Sequence, residues 1–378
     1  MPSAPGWRRV LVVFLVGKAI AVGALLAGLR YYFTPLHDWN YVAFRPEQAG
    51  TLLAFINWDG QHYLKLAMWD YPHPIDTTAI FFPLFPALIW LASQIAGLHA
   101  IYAGIAVATL FSLLALLLLA RLLPVEERGP SSLWLLACFP TAFYLSAGYT
   151  EGLFLTAFFG LLWALRDARR APWALLFAAA LPLSRAQGLW LAAPLALAWV
   201  APALGRGGPS IPASLRAAAL GYALGAAGYF AIIWANYGNP LAGLQMAPLL
   251  GGGHSLANLF DLPHFIDLLL SPPRRFLDNQ RSGLDKLMML LSLFALLYGL
   301  ARGARDPFLS AAWACFAVLP ALSGEGSGYA RYALLAWGCF VVSAGPTLGA
   351  AAKWALIAPC FALQAWLAYH YGANRWVA

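Results

Sequence analysis

Polar and apolar residues do not alternate along this chain; apolar residues come in long unbroken runs. LFSLLALLLLA at 110–120 is one example. Runs of this kind read as helices buried on every side rather than as strands of a barrel, where the period would be two. Apolar stretches at 8–30, 101–122, 131–147, 149–166, 172–184, 187–203, 216–236, 286–301, 307–322, 332–348 and 354–371 predict about eleven membrane-spanning helices. Two long mixed stretches interrupt them, 31–78 and 237–285. Segment 79–98, AIFFPLFPALIWLASQIAGL, is apolar enough to cross, but Pro83 and Pro86 break its start.

Composition agrees. Of 378 residues, 62% are apolar and 10% charged, with mean hydropathy +0.70; a soluble domain carries roughly 25% charged residues. This excludes an ordinary soluble enzyme and a disordered chain, and predicts one integral membrane domain over 1–378. The four cysteines, Cys138, Cys315, Cys339 and Cys360, stand singly in apolar runs and suggest no disulfide framework. Residues 8–30 are too long for a signal-peptide core and read as a retained first span. No repeat of 20–50 residues is visible.

The net charge of +8 predicts no nucleic-acid partner, because the Lys and Arg residues are scattered through short loops. Instead they orient the chain. Arg8 and Arg9 put the N-terminus in the cytoplasm. If 79–98 is re-entrant or interfacial, the loops carrying Arg121, Arg128, Arg166, Arg169, Arg170, Arg206, Arg216, Arg302, Arg305 and Lys353 face the cytoplasm too. If it crosses, that assignment inverts, so the positive-inside rule favours the first case. Both long loops, 31–100 and 237–285, then lie on the extracytoplasmic side, with all seven histidines and most of the acids. Chemistry is expected there, at the outer face of a plasma membrane, and the compact Ala/Leu/Gly-rich chain reads as prokaryotic.

Four segments carry charges that an apolar chain has to account for. In NWDGQHYLKLAMWDYP (57–72), Asp59, His62 and Lys65 recur at helical spacing, with Trp58, Tyr63, Leu64 and Leu66 expected toward the bilayer. An interfacial helix with a solvated acid explains this as well as a functional carboxylate does. In FPTAFYLSAGYTEGLF (139–154), Glu151 interrupts apolar sequence at a cost of at least roughly 2.5 kcal/mol if deep. It is either a functional acid or one at a helix start, with Thr150 as N-cap. In LPLSRAQGL (181–189), Arg185 is an anion partner or a snorkelling turn residue. In SGEGSGYARY (323–332), Glu325 and Arg331 lie in or beside a glycine-rich loop without P-loop context. Lys18, in the first span, is either partner to a buried acid or a snorkelling cation. No spacing of His and acids suggests a metal cage, and no cofactor is expected.

Taken in order, these segments resemble the PIG-V-like mannosyltransferases, whose eukaryotic members add the second mannose in GPI-anchor synthesis. The matching residues are Trp58, Asp59, Tyr63, Leu64 and Ala67, then Phe81 to Pro86, then Pro140, Phe143, Tyr149, Thr150, Glu151, Leu153 and Phe154. Ser184, Arg185 and Gly188 follow, and finally Ser327, Arg331 and Tyr332, while YGNPLAGLQM at 237–246 resembles the family's G-x-P-x-x-x-x-Q stretch. The resemblance spans residues 55–335. It implies a GT-C-type helical bundle with its active site under the first outer loop, and an inverting transfer of a sugar, mostly mannose, from a polyprenyl-phosphate donor to an acceptor hydroxyl. Asp59 matches the acid implied as catalytic base and Glu151 the second outer acid. Where the family has glycine-tyrosine after the first motif, this chain has Asp70-Tyr71, which leaves the role of Asp70 open.

From the residues, Trp58, His62, Lys65, Asp70, Arg185, Arg331 and Tyr332 are the expected substrate contacts, the cations facing a leaving phosphate. The partners expected are the lipid-linked donor, a lipid, glycan or protein acceptor, and membrane lipid. The competing class is a transporter or flippase of an anionic or lipid-linked substrate, using Lys18, Glu151 and Arg185 as midplane charges. A non-catalytic GT-C-like scaffold is a third reading.

Overall fold

The computed structural model describes residues 6–377, apart from 36–40, 124–129, 205–210, 250–253, 256, 279–281, 303–305, 325–327 and 344. All regular structure among the described residues is helical. Among the described residues, five helices are long and apolar enough to cross a membrane: Trp7–Tyr32, Ala100–Leu122, Ala213–Tyr237, Gly283–Ala301 and Ala350–Gly372. The other apolar helices are shorter. Leu84–Ala96 has 13 residues and Glu151–Leu165 has 15, or about 20 Å at 1.5 Å per residue against a hydrocarbon core of about 30 Å. The molecule is therefore an all-helical bundle of membrane character with five candidate spans, where the hydropathy pattern predicts about eleven.

Close helix packing rests on small residues. Trp7–Tyr32 buries Val10, Val13, Gly17, Ala21, Leu25 and Gly28, a stripe at spacings of three and four. A Cβ on Gly28 would lie 1.9 Å from the Tyr369 carbonyl oxygen, and one on Gly372 would lie 2.0 Å from that of Leu25. The first and last helices thus touch backbone to backbone. Gly221 and Gly225 do the same for Ala213–Tyr237 against Ala171–Ser184, where a Cβ would meet Leu175 O at 2.1 Å and Ala179 O at 2.2 Å. Small-xxx-small pairs of this kind let helices approach where lipid removes the hydrophobic drive.

Two expected spans are interrupted. The 131–147 run is a helix only over Pro130–Ala137, followed by an irregular turn and a 3-10 helix, Ala142–Ser146. Pro140 has no N–H to give, and the freed carbonyls are taken up by neighbours. Gln364 Nε2 donates to Ala137 O (3.0 Å) and Phe139 O (3.2 Å), and Ser112 Oγ donates to Leu145 O (2.6 Å). Lys18 Nζ also donates to Leu145 O (2.6 Å) and to Thr109 Oγ1 (3.3 Å). Lys18 therefore pairs with no acid and does not snorkel; it satisfies a broken helix. The 187–203 run likewise divides at Leu191 into Ala186–Trp190 and Ala192–Leu204.

Both long loops gather at one end of the bundle. Tyr32 stacks on Tyr369 (6.4 Å between ring centroids), Phe44 is tilted against His99 (5.1 Å), Tyr71 meets Tyr237 edge-on (6.0 Å) and Phe276 is tilted against Trp366 (5.7 Å). These contacts join the loop residues to the loop-facing ends of four of the long helices, Trp7–Tyr32, Ala100–Leu122, Ala213–Tyr237 and Ala350–Gly372. Gly243 of the second loop sits where a Cβ would be 2.7 Å from Ala79 O of the first.

Candidate active site

Four charged side chains meet at this end, from four separate parts of the chain. Asp59 and Glu151 each open a helix, Asp59–Trp69 and Glu151–Leu165, where the helix dipole favours an anion. Arg185 occupies the extended residue between Ala171–Ser184 and Ala186–Trp190. The fourth, Arg331, is in the first turn of Tyr329–Ser343.

They form a chain of alternating charge. Arg331 Nη1 donates to Asp59 Oδ2, and Arg331 Nε donates to Glu151 Oε1 at 3.1 Å. Arg185 Nη1 reaches the same Oε1 at 2.5 Å and Thr150 Oγ1 at 3.1 Å, and Arg185 Nε donates to Gln187 Oε1 at 3.0 Å. Two acids and two arginines cancel, which is how a low-dielectric interior tolerates them. Burial is graded. The Glu151 side chain is 0% exposed, Arg185 5%, Arg331 10% and Asp59 26%. The chain of charges therefore reaches solvent at Asp59.

Aromatic rings wall the cluster. The Arg331 guanidinium lies over Tyr149 (4.8 Å) and Tyr144 (5.3 Å), and that of Arg185 over Tyr332 (5.7 Å). Tyr63 Oη is 3.4 Å from Thr150 Oγ1, and burial pushes the Tyr63 phenol up to about 12. Thr150 stands at the N-cap of that helix as expected, but its hydroxyl makes no cap bond and serves Arg185 instead. Glu151 Oε2 and Trp58 Nε1 are among the buried polar atoms that have no hydrogen-bond partner among the described residues.

The turn that delivers Asp59 is strained. Trp58 has φ +56°, a region that costs a bulky residue of order 1–3 kcal/mol. Asn57 before it is pinned from several directions. Its side chain donates to Tyr371 O (3.0 Å), and its carbonyl accepts from Tyr149 Oη (2.8 Å) and Tyr371 Oη (2.7 Å). The Trp58 ring packs edge-on against Trp376 at 5.1 Å. The end of the chain thus holds the turn at Asp59 in shape.

Other expected contacts fall elsewhere. His62 Nδ1 lies 3.0 Å from Thr78 Oγ1, and its ring stacks on Phe81 at 4.7 Å. Burial lowers the His62 imidazole from its ordinary value against the opposing charge of Asp59. Lys65 does not reach the cluster; its Nζ bonds Asp76 Oδ2 at 2.7 Å and Thr78 Oγ1 at 3.5 Å. Burial raises the Asp76 carboxyl, but hydrogen bonds from Lys65 and Thr78 outweigh it and leave the group below its usual value. Asp70 also stays local: it ends the Asp59–Trp69 helix at φ +66° and accepts from its neighbour Tyr71 N (2.8 Å). The apolar face of that helix does not look to lipid as expected, because Tyr63, Leu64 and Leu66 are buried in protein. Glu325, Ser327 and His37 lie outside the described residues.

Three contributors were not singled out from the sequence. Asp285 Oδ1 accepts from Ala330 N (2.7 Å), holding the helix start that carries Arg331; the Ser282–Asp285 spacing at the head of an apolar run is its only sequence signal. His254 Nδ1 meets Ser323 Oγ at 3.1 Å and its ring abuts Tyr332 at 5.7 Å; burial lowers it to about 4. Tyr144, in the apolar AFYLS run, had no signal at all. No group of three or more His, Cys, Asp and Glu is poised for a metal among the described residues. Known protein-family models match no part of this chain, and no curated protein matches it.

Proposed function

We propose that the chain is a GT-C-type inverting glycosyltransferase of the PIG-V-like kind, which moves a sugar, mannose in the first instance, from a polyprenyl-phosphate donor to an acceptor hydroxyl at the extracytoplasmic membrane face. The observation that carries the reading is the Asp59–Arg331–Glu151–Arg185 chain, with Asp59 as its exposed end. A glycosyl transfer needs a base at the acceptor and positive charge at the departing phosphate, and this cluster holds both in adjoining side chains.

In this reading the acceptor oxygen attacks the anomeric carbon as its proton passes to Asp59. The bond from that carbon to the phosphate oxygen breaks on the opposite face, and polyprenyl phosphate leaves as an anion stabilised by Arg331. Arg185 and Glu151 keep the Arg331 guanidinium oriented. Trp58 Nε1, one residue before the base, is a buried donor without a partner among the described residues. Lys65 and Asp70 drop out of the substrate contacts, since each is engaged elsewhere. A transporter reading would enlist Lys18 together with Glu151 and Arg185, but Lys18 is bound to Leu145 O and Thr109, apart from the cluster.

The test is incubation of the purified protein with radiolabelled polyprenyl-phosphate-mannose and a panel of lipid, glycan and peptide hydroxyl acceptors. Release of polyprenyl phosphate with transfer of label is expected. No release with any acceptor would turn the assignment toward the transporter or a scaffold.

A further inference from the structure

The second long loop carries an amphipathic helix that the proposed chemistry does not use. Leu262–Leu270 is capped by Asp261, whose Oδ1 accepts from His264 N (3.0 Å). Phe265 and Leu269 turn inward onto the core. Leu262, Ile266 and Leu270 stand on the adjoining, outward face at spacings of four, 60%, 45% and 77% exposed, and Phe260 just before them is 90% exposed. Water is a poor neighbour for such a stripe.

Its surroundings say what covers it. The chain leaving this helix is tied to the first turn of the candidate span Gly283–Ala301. Lys286 Nζ donates to Ser271 O, Gly283 N to Arg275 O (2.8 Å) and Leu284 N to Phe276 O (3.0 Å). That span in turn exposes Leu290, Leu291, Phe294 and Leu297, the side a lipid-spanning helix gives to acyl chains. The stripe therefore lies at the level where the span meets the membrane surface. Between the two sit Arg274 and Arg275, both exposed, where lipid headgroups would be.

We propose that Phe260–Phe276 is a membrane-surface anchor: the 262/266/270 stripe is buried among acyl chains of an anionic phospholipid leaflet, and Arg274 and Arg275 bind its headgroup phosphates. Continuity with the adjoining span, and the placing of Arg274 and Arg275 beside its first turn, select this occupant over a protein partner. His264 Nε2 approaches Gly324 O (3.4 Å), Asn258 Nδ2 donates to Ser323 O (3.0 Å), and Ser255 N donates to the same carbonyl (2.7 Å). The loop thereby holds Ser323 and Gly324, at the C-terminal end of the Pro307–Ser323 helix.

The test places single nitroxide labels on the full chain in nanodiscs, with the native cysteines replaced by alanine. Leu262→Cys, Ile266→Cys and Leu270→Cys are compared with Leu290→Cys on the span as the lipid standard and Asp267→Cys as the aqueous one. Oxygen-rich, nickel-poor accessibility at the three stripe positions, matching Leu290→Cys, is expected. Accessibility at all three like that of Asp267→Cys would overturn the anchor. In discs containing phosphatidylglycerol, Arg274→Gln with Arg275→Gln is expected to make the labels shallower, with no change in pure phosphatidylcholine; no change in either lipid would remove the headgroup role.

Discussion

Asp59 and Glu151 begin as equivalents and end as opposites. Each is the first residue of a helix, and each accepts from Arg331. Glu151 is sealed and shared by two arginines, whereas Asp59 has one arginine and a quarter of its side chain exposed. The difference separates two tasks. A sealed acid with two cations on one oxygen fixes geometry. An acid with an open side and a single partner is free to exchange a proton with something arriving from outside. Under the proposed function, one cluster supplies both the rigid half and the reactive half of the site.

The largest effect should come from the sealed acid. Glu151→Gln leaves two buried arginines facing one carboxylate, and a broken buried pair costs about 3–5 kcal/mol. Unfolding in detergent should occur at clearly lower temperature, with transfer lost as well. Asp59→Asn should do the reverse: transfer falls by about 10²–10⁴, the usual contribution of a general base, while the melting temperature stays closer to that of the parent. Equal destabilisation by both variants would erase the distinction. Arg185→Lys keeps the charge but cannot hold Glu151, Thr150 and Gln187 together; a stability loss of about 1.5–3 kcal/mol is expected by the same melting assay.

The smallest effect belongs to Lys65 and Asp76, an ion pair further along the Asp59 helix with a side chain 43% exposed on the acid. Lys65→Ala should cost no more than about 1 kcal/mol and leave turnover near that of the parent. The pair also has a pH signature. Because the folded Asp76 carboxyl lies below its ordinary value, its contribution is present at neutral pH and is lost as pH falls from the ordinary aspartate value through the folded one. A parent-minus-Lys65→Ala difference in melting temperature that vanishes on acidification is the expected result. A strong loss of transfer in Lys65→Ala would return Lys65 to the leaving-group site.

Much of the cluster was legible beforehand, for a physical reason. Asp59, Glu151, Arg185 and Arg331 stand out because each interrupts or borders sequence suited to lipid, where an unpaired charge is costly and must find a partner. The pairing itself was not legible, because the four lie up to 272 residues apart in sequence. Lys65 shares the helical spacing of Asp59, and the role of Asp70 was open from the sequence. Lys65 is claimed by Asp76 and Thr78, and Asp70 by a helix end, through loop geometry that no periodicity reports. Hydropathy predicts about eleven spans, and five helices reach spanning length among the described residues. It registers that 131–147 is apolar, but not that Pro140 breaks it and that Gln364, Ser112 and Lys18 are there to satisfy the freed carbonyls.

The sequence by itself determined the solvent and the class of fold: with 10% charge and continuous apolar runs, only helices satisfy their own backbone in lipid. It also singled out the residues whose charge needed explaining. Tertiary structure decided which charges cancel, which acid is sealed and which one faces outward. Burial and ion pairing depend on distance in space: the Asp59 end is held by the bonds of Asn57 to the last helix, and the Arg331 end by Asp285 at Ala330 N.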